Sequence, residues 1–161
     1  MVLTITDGEE RDMLYTELTC RAMCIAYEAH EGQRDQSGVP YIFHPMHVAE
    51  RVGDDEYAIC VALLHDVVED TDWTLERLSG LFPDAVVQAV ALLTRDPALP
   101  YEAYLEPIRG NPLASRVKLA DLEHNGDFSR LCTASGHWTE RQIEAHRARY
   151  AKARAFLLGE E

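Results

Sequence analysis

Apolar residues recur at three- and four-residue spacing along most of this chain, and no sustained alternating run breaks that rhythm. The pattern predicts an all-α fold of about six to eight helices around one core, with neither repeats nor a low-complexity linker. A first helix is expected over about residues 9 to 30, where Leu14, Leu18, Ala22, Ile25 and Ala29 share a stripe and Gly32 follows the end. EGQRDQSGVPYIFHP reads as a loop. Pro45 suits a first helical position, so a second helix runs from His44 to about Arg51, with His44 itself held out of helical geometry by the proline after it. A third helix over about residues 55 to 69 ends on an acidic cluster. Thr74 caps a short helix bearing Leu75, Leu78 and Leu81, and Pro83 opens another carrying Val86, Val90 and Leu93. After DPALP, a helix covers about Tyr101 to Arg109. Next, NPLASRVKLADLEHN places Leu113, Val117 and Ala120 on one face, with Asp121 and Asn125 a turn apart beside it. Thr139 and Gln142 form a capping-box pattern ahead of a long last helix with Ile143, Tyr150, Phe156 and Leu157.

At 161 residues and 47% apolar content the chain is read as a single domain, its core spanning about residues 20 to 158. No apolar run approaches the roughly 20 residues needed to cross a bilayer, and MVLTITDGEERD lacks a basic start followed by an apolar stretch, so a cytoplasmic, membrane-free protein is expected. Cys20, Cys24, Cys60 and Cys132 show no paired spacing and are expected to be buried free thiols. The 15 basic against 28 acidic residues leave a formal charge of −13, which argues against nucleic acid as a partner. A small anionic ligand is not excluded, because a bound divalent ion and a few local basic residues reverse the potential inside one cleft.

The chemistry concentrates in ALLHDVVEDT, residues 62 to 71, where four ionisable groups interrupt an apolar run. On a helix, the i to i+4 spacing sets His65 beside Glu69 and Asp66 beside Asp70, facing imidazole and carboxylates into one pocket. A helix end that merely caps needs one such residue. Like charges gathered in a half-buried site call for protons or a cation, so the pattern asks for a metal. Two other apolar helical faces also end on a candidate ligand, at His44 and at Asp121.

FHP, HDVVEDT and KLADLEHN, in this order and at these separations, resemble the HD-domain metal-dependent phosphohydrolases. More closely, AHEGQRDQSGVPYIFHPMHVA is similar to the opening motif of the (p)ppGpp hydrolase domains of the RelA/SpoT family and their small stand-alone relatives. The resemblance implies an all-helical fold and one Mn²⁺-type ion held by His44, His65, Asp66 and Asp121. Two imidazoles and two carboxylates suit Mn²⁺ or Fe²⁺, and zinc accepts the same donors. By the same resemblance, Glu69 and Asp70 orient or deprotonate a water and assist the leaving group, and Asn125 contacts the nucleotide.

The departures bear on the substrate. Family (p)ppGpp hydrolases follow His-x-Gly-Gln, matched here by His30, Gly32 and Gln33, with one residue and then an Arg-Lys pair against the guanine side. Asp35 and Gln36 hold those two positions, and Arg34 stands one place early. GDFSRL also replaces the threonine-bearing stretch beyond Asn125. Lys118 is a candidate phosphate contact and equally a solvated side chain. Tyr41 and Tyr101 either border a nucleobase or pack half-buried. His47 is expected at the surface or behind the ligands, and His30 orients the loop after it. Trp138 is expected to fix the last helix, whereas His124, His137 and His146 carry no independent signal.

The reading that follows is a stand-alone phosphohydrolase of a nucleotide phosphate or pyrophosphate, with a (p)ppGpp-like 3′-pyrophosphate as first candidate. Two alternatives stay open: the same site acting on (p)ppApp, a nucleoside monophosphate or NADPH, and a non-catalytic nucleotide-sensing domain that keeps the ion for structure.

Overall fold

A computed structural model describes residues 14–130 and 138–160. The fold is all-α: α1 (Glu17–Ala29), α2 (Phe43–Arg51), α3 (Glu56–Leu64), α4 (Val67–Asp70), α5 (Leu75–Ser79), α6 (Asp84–Leu93), α7 (Tyr101–Arg109), α8 (Pro112–Gly126) and α9 (Glu140–Leu158). Among the described residues the sole extended pairing is an isolated bridge between Arg34 and Pro40.

The order of burial follows from composition. α3 reads EYAICVALL, and every residue from Ala58 to Leu64 is buried. A helix apolar on all sides can only be central. α1, α2, α6 and α8 pack around it, and α8 in turn meets α2, α6, α7 and α9. α3 and α8 both also pack against α2. His65 and Asp66 follow the C-terminal end of α3, Asp121 lies in the C-terminal half of α8, and His44 lies in the first turn of α2.

Boundaries follow capping chemistry. Thr16 caps α1 in a capping box with Thr19, Asp55 caps α3, Asn111 caps α8 with Pro112 just inside, and Thr139 caps α9 in a box with Gln142. Gly159 ends α9 at φ 69°, a left-handed geometry that favours glycine.

Several expectations need correction. The expected start of the first helix near residue 9 lies outside the described residues, but Leu14 is exposed and α1 begins only at Glu17, where the Thr16 cap starts it. α2 begins at Phe43, so His44 is helical despite the following proline. Phe43 and His44 donate to the carbonyls of Pro40 and Tyr41, and Pro45 sits in a first turn, where its missing N–H has no helical partner to lose. The expected 55–69 helix breaks at His65 and Asp66, with Asp66 at φ −100°, ψ −7° before α4 resumes. α5 stops at Ser79, leaving Leu81 exposed, and Pro83 caps α6 from outside. Cys60 is buried as expected, whereas Cys20 and Cys24 are exposed, because they lie on the face of α1 opposite Ala22 and Ala26; Cys132 lies outside the described residues.

Candidate metal centre

The break in the helix after Leu64 has a direct consequence for His65. Its Nδ1 lies 2.7 Å from the Ala62 carbonyl, which accepts a hydrogen bond, so Nε2 is left facing the cluster. His44 enters from α2 with its Nε2 3.2 Å from His65 Nε2. Asp66 Oδ2 lies 3.1 Å from His65 Nε2 and 3.4 Å from His44 Nε2. Asp121, from α8, brings Oδ1 to 3.3 Å from His44 Nε2 and 3.9 Å from His65 Nε2. His44, His65 and Asp66 form a group able to hold a metal ion, and Asp121 approaches both imidazoles from α8. Donors about 2.1 Å from a common ion and at right angles stand about 3 Å apart, so these separations fit a cation in their midst.

Electrostatics test the fit independently. Burial opposes charging His44, yet hydrogen bonding to Asp121 and Asp66 and their negative charge outweigh it and raise its pKa to about 9. His65 is raised as well: burial works against it and Asp66 prevails. Burial likewise disfavours ionised Asp66 and Asp121. The two histidines, and Lys118 for Asp121, still hold both carboxyls well below the usual carboxylate range. The cluster demands positive charge, and takes it from protons when nothing else supplies it. Two imidazole and two carboxylate donors fit a divalent ion of the Mn²⁺, Fe²⁺ or Zn²⁺ kind.

The neighbours of these four are equally defined. Tyr41 Oη donates to Asp66 Oδ2 at 2.6 Å, so its hydroxyl engages the cluster while its ring lies beside His30 and His44. Lys118, expected as a phosphate contact or a solvated chain, is largely buried, with Nζ 2.8 Å from Asp121 Oδ2. Asn125 donates its amide to Asp121 Oδ1. Glu69 accepts from the Arg95 backbone N–H at 2.8 Å, and burial, against that bond, raises its pKa; burial and the Asp66 charge raise that of Asp70.

Two connected cavities meet here. One, of about 240 Å³, is lined by His44, His65, Asp66, Asp121, Glu69 and Asp70 together with Arg95, Lys118 and Arg149. The other, of about 380 Å³, is lined by Arg34, Asp35 and Gln36 on one side and by Phe128, Trp138, His146 and Tyr150 on the other. Tyr41, His44, Asn125, Arg149 and Tyr150 border both. The aromatic wall is continuous, with the Trp138 ring edge-on to His146 at 4.6 Å and His146 against Tyr150 at 5.8 Å. Trp138 thereby fixes the start of α9, as expected. Arg34 donates to the Gly38 carbonyl, and Asp35 accepts from the Ser37 and Val39 backbone N–H groups, so the loop is organised by its own residues.

Other expectations find their places. His30 is bonded through Nδ1 to Gln33 at 2.8 Å, which holds the loop that follows, and Gln33 donates to the Asp70 carbonyl. His47 is exposed and pairs with Glu50. Tyr101 lines the smaller cavity, half-buried. His137 lies outside the described residues. Sequence reasoning missed His124, which is buried with its Nδ1 2.8 Å from His44 Nδ1; its one local signal was a position one turn after Asp121 on the same helix face.

The chain is similar to known proteins over most of its length. The HD domain model matches residues 22–109. The Danio rerio protein named guanosine-3′,5′-bis(diphosphate) 3′-pyrophosphohydrolase MESH1 is 35% identical over 143 residues, which cover 81% of this chain and 79% of that protein. The Haemophilus influenzae guanosine-3′,5′-bis(diphosphate) 3′-pyrophosphohydrolase is 40% identical over 115 residues, 63% of this chain and 17% of that protein. A relative in Synechocystis sp. is 38% identical over 135 residues, 75% of this chain and 18% of that protein. The chain thus covers less than a fifth of these two bacterial relatives. A solved structure described as a metazoan ortholog of SpoT that hydrolyzes ppGpp and plays a role in starvation responses superposes with a TM-score of 0.73 at 27% identity, covering 91% of this chain and 88% of that one.

Proposed function

The chain belongs to the HD-domain family, among relatives named as (p)ppGpp 3′-pyrophosphohydrolases, and from that premise we propose that it is a metal-dependent phosphohydrolase acting on a (p)ppGpp-like 3′-pyrophosphate. The observation that carries the reading is the convergence of His44, His65, Asp66 and Asp121, with the imidazoles 3.2 Å apart and each carboxylate 3.1 to 3.9 Å from both of them, at the wall of a cavity lined by Glu69 and Asp70. These four residues are proposed to hold one divalent ion, Mn²⁺ in the first instance. Such an ion supplies Lewis acidity to a water and to a phosphoryl oxygen.

The chain's own groups do the rest. Water attacks the phosphorus joined to the ribose 3′ oxygen, a new P–O bond forms, and the bond to the 3′ oxygen breaks. Glu69 and Asp70, carboxyls with raised pKa beside that centre, take the proton from the water and return one to the departing oxygen. Arg95, Lys118 and Arg149 bring positive charge to the phosphate side. The larger cavity, within the size range of small-molecule sites, receives the nucleoside between Arg34, Tyr41 and Asn125 and the aromatic wall. Asp35 and Gln36 line that cavity, which favours testing other bases and cofactors alongside guanine.

The experiment is phosphate and pyrophosphate release by Mn²⁺-loaded protein from ppGpp, ppApp, mononucleotides and NADPH, with Asp66→Asn as the blank. Pyrophosphate from ppGpp that disappears in Asp66→Asn, whose fold is checked by circular dichroism, is the expected result. Release from a different nucleotide alone reassigns the substrate and keeps the mechanism. Nucleotide bound stoichiometrically and left intact supports a sensing domain and refutes hydrolysis.

A further inference from the structure

We propose that His124 is a positioning residue for His44, a neutral imidazole that accepts the His44 Nδ1 proton and so aims the Nε2 lone pair of His44 into the candidate metal centre. The inference rests on the metal-centre reading above and adds a residue to it.

Two Nδ1 atoms 2.8 Å apart cannot both present lone pairs. One proton must lie between them. His44 Nε2 is committed on its other side, within 3.2 Å of His65 Nε2 and within 3.4 Å of oxygens from both Asp66 and Asp121. A histidine that offers Nε2 to a cation carries its remaining proton on Nδ1, so His44 donates and His124 accepts. His124 therefore carries its own proton on Nε2. His65 reaches the same protonation state by another device, giving its Nδ1 proton to the Ala62 carbonyl within the turn that breaks the helix. α2 provides no such carbonyl to His44, and α8 supplies the acceptor from 80 residues away.

The placement accounts for the spacing in α8. Asp121, His124 and Asn125 fall at i, i+3 and i+4 on one face: Asp121 approaches Nε2 of His44, His124 its Nδ1, and Asn125 holds Asp121 Oδ1. The His124 ring is itself held, packed against His44 at 4.9 Å between centroids and edge-on to His47 at 5.1 Å. A single helix turn thus supplies one candidate ligand and the groups that orient two.

Two variants and one spectroscopic measurement test this. His124→Asn puts an amide oxygen near the Nδ1 position and keeps an acceptor, whereas His124→Leu removes it. Mn²⁺ titration by calorimetry should show affinity 10- to 100-fold weaker in His124→Leu and within about threefold of the parent in His124→Asn. In the parent protein loaded with diamagnetic Zn²⁺, long-range ¹H–¹⁵N spectra should show His44 protonated at Nδ1 and His124 at Nε2. A folded His124→Leu with parental Mn²⁺ affinity, or His124 protonated at Nδ1 in the Zn²⁺-loaded protein, overturns the proposal. The spectra decide the matter even where His124→Leu does not fold. Failure of the parent protein to bind Mn²⁺ at all overturns instead the metal-centre reading, and the two failures are separable in one titration series.

Discussion

Replacing Tyr41 by Phe removes one oxygen from the site, and its effect separates two roles for this residue. As a substrate contact, the hydroxyl would touch the nucleotide; as built, it donates to Asp66 Oδ2 at 2.6 Å, an oxygen 3.1 Å from His65 Nε2 and 3.4 Å from His44 Nε2. Burial first, and then the Asp66 charge, raise the phenol pKa, so the hydroxyl remains a donor throughout the working pH range. The ring contacts with His30 and His44 survive the substitution, which confines the loss to one hydrogen bond to a charged acceptor. Such bonds contribute about 1.5–3 kcal/mol, or roughly one to two decades in an equilibrium constant. The Asp66 side chain is 18% exposed, so water replaces part of the lost bond and the lower decade is the better expectation. Calorimetric Mn²⁺ titration of Tyr41→Phe should therefore give a Kd about tenfold higher, while KM for nucleotide at saturating Mn²⁺ stays within about threefold. Unchanged Mn²⁺ affinity together with a tenfold higher KM would refute the reasoning and return Tyr41 to substrate binding.

Glu69→Gln and Asp70→Asn should each lower kcat by about 10²–10⁴-fold if they handle the proton, with Mn²⁺ affinity nearly unchanged because neither side-chain carboxyl bonds to the four-residue cluster and the Asp70 backbone bond to the Asp66 carbonyl survives the substitution; parental kcat in both would remove them from the mechanism. The ion-free protein should lose thermal stability as pH rises. His44 gains its proton more readily folded, at about 9 against an ordinary 6.5, so its contribution is complete below 6.5 and disappears as pH climbs through 9. Asp66 and Asp121, held low, contribute above their ordinary value of 3.8 and lose it as pH falls further. Scanning calorimetry in chelator should thus show Tm declining between pH 6.5 and 9, with the decline reduced in His44→Gln; a profile identical in the two proteins would contradict it.

How much of this was readable from residues alone depends on the range of the interaction that decides each feature. Helix positions are decided by apolar spacing and caps within a few residues, and Thr139 with Gln142, or Asn111 with Pro112, mark ends that the structure keeps. The start of α2 misleads because a rule about proline at the first helical position is narrower than the chemistry: any first-turn N–H is dispensable, and the Pro40–Ile42 turn begins the helix earlier. The break at His65 and Asp66 hides within VALLHDVV, whose apolar rhythm runs on unaltered. Only the contact of His65 with Ala62 and the approach of α2 and α8 show why the chain turns there. Motif resemblance supplied the four candidate ligands, but their supports were invisible. Tyr41 to Asp66 spans 25 residues and His44 to His124 spans 80, and no local pattern pairs residues that far apart.

The charge of the site then decides what it can bind. Across the whole chain the balance is −13, yet the smaller cavity is lined by four carboxylates, Asp66, Glu69, Asp70 and Asp121, against three cations, Arg95, Lys118 and Arg149. With neutral histidines that lining carries one net negative charge, which protons on His44 and His65 offset while no ion is bound. A divalent ion turns the same lining to one net positive charge. Lys118 contributes to this balance from a largely buried position, paired with Asp121, and so leaves one carboxylate already matched. Arg149 differs: it is exposed, borders both cavities, and is the cation best placed to meet an incoming phosphate before the nucleoside reaches the aromatic wall. A divalent ion thus supplies, independently of pH, the positive charge that a proton on His44 supplies only below about 9.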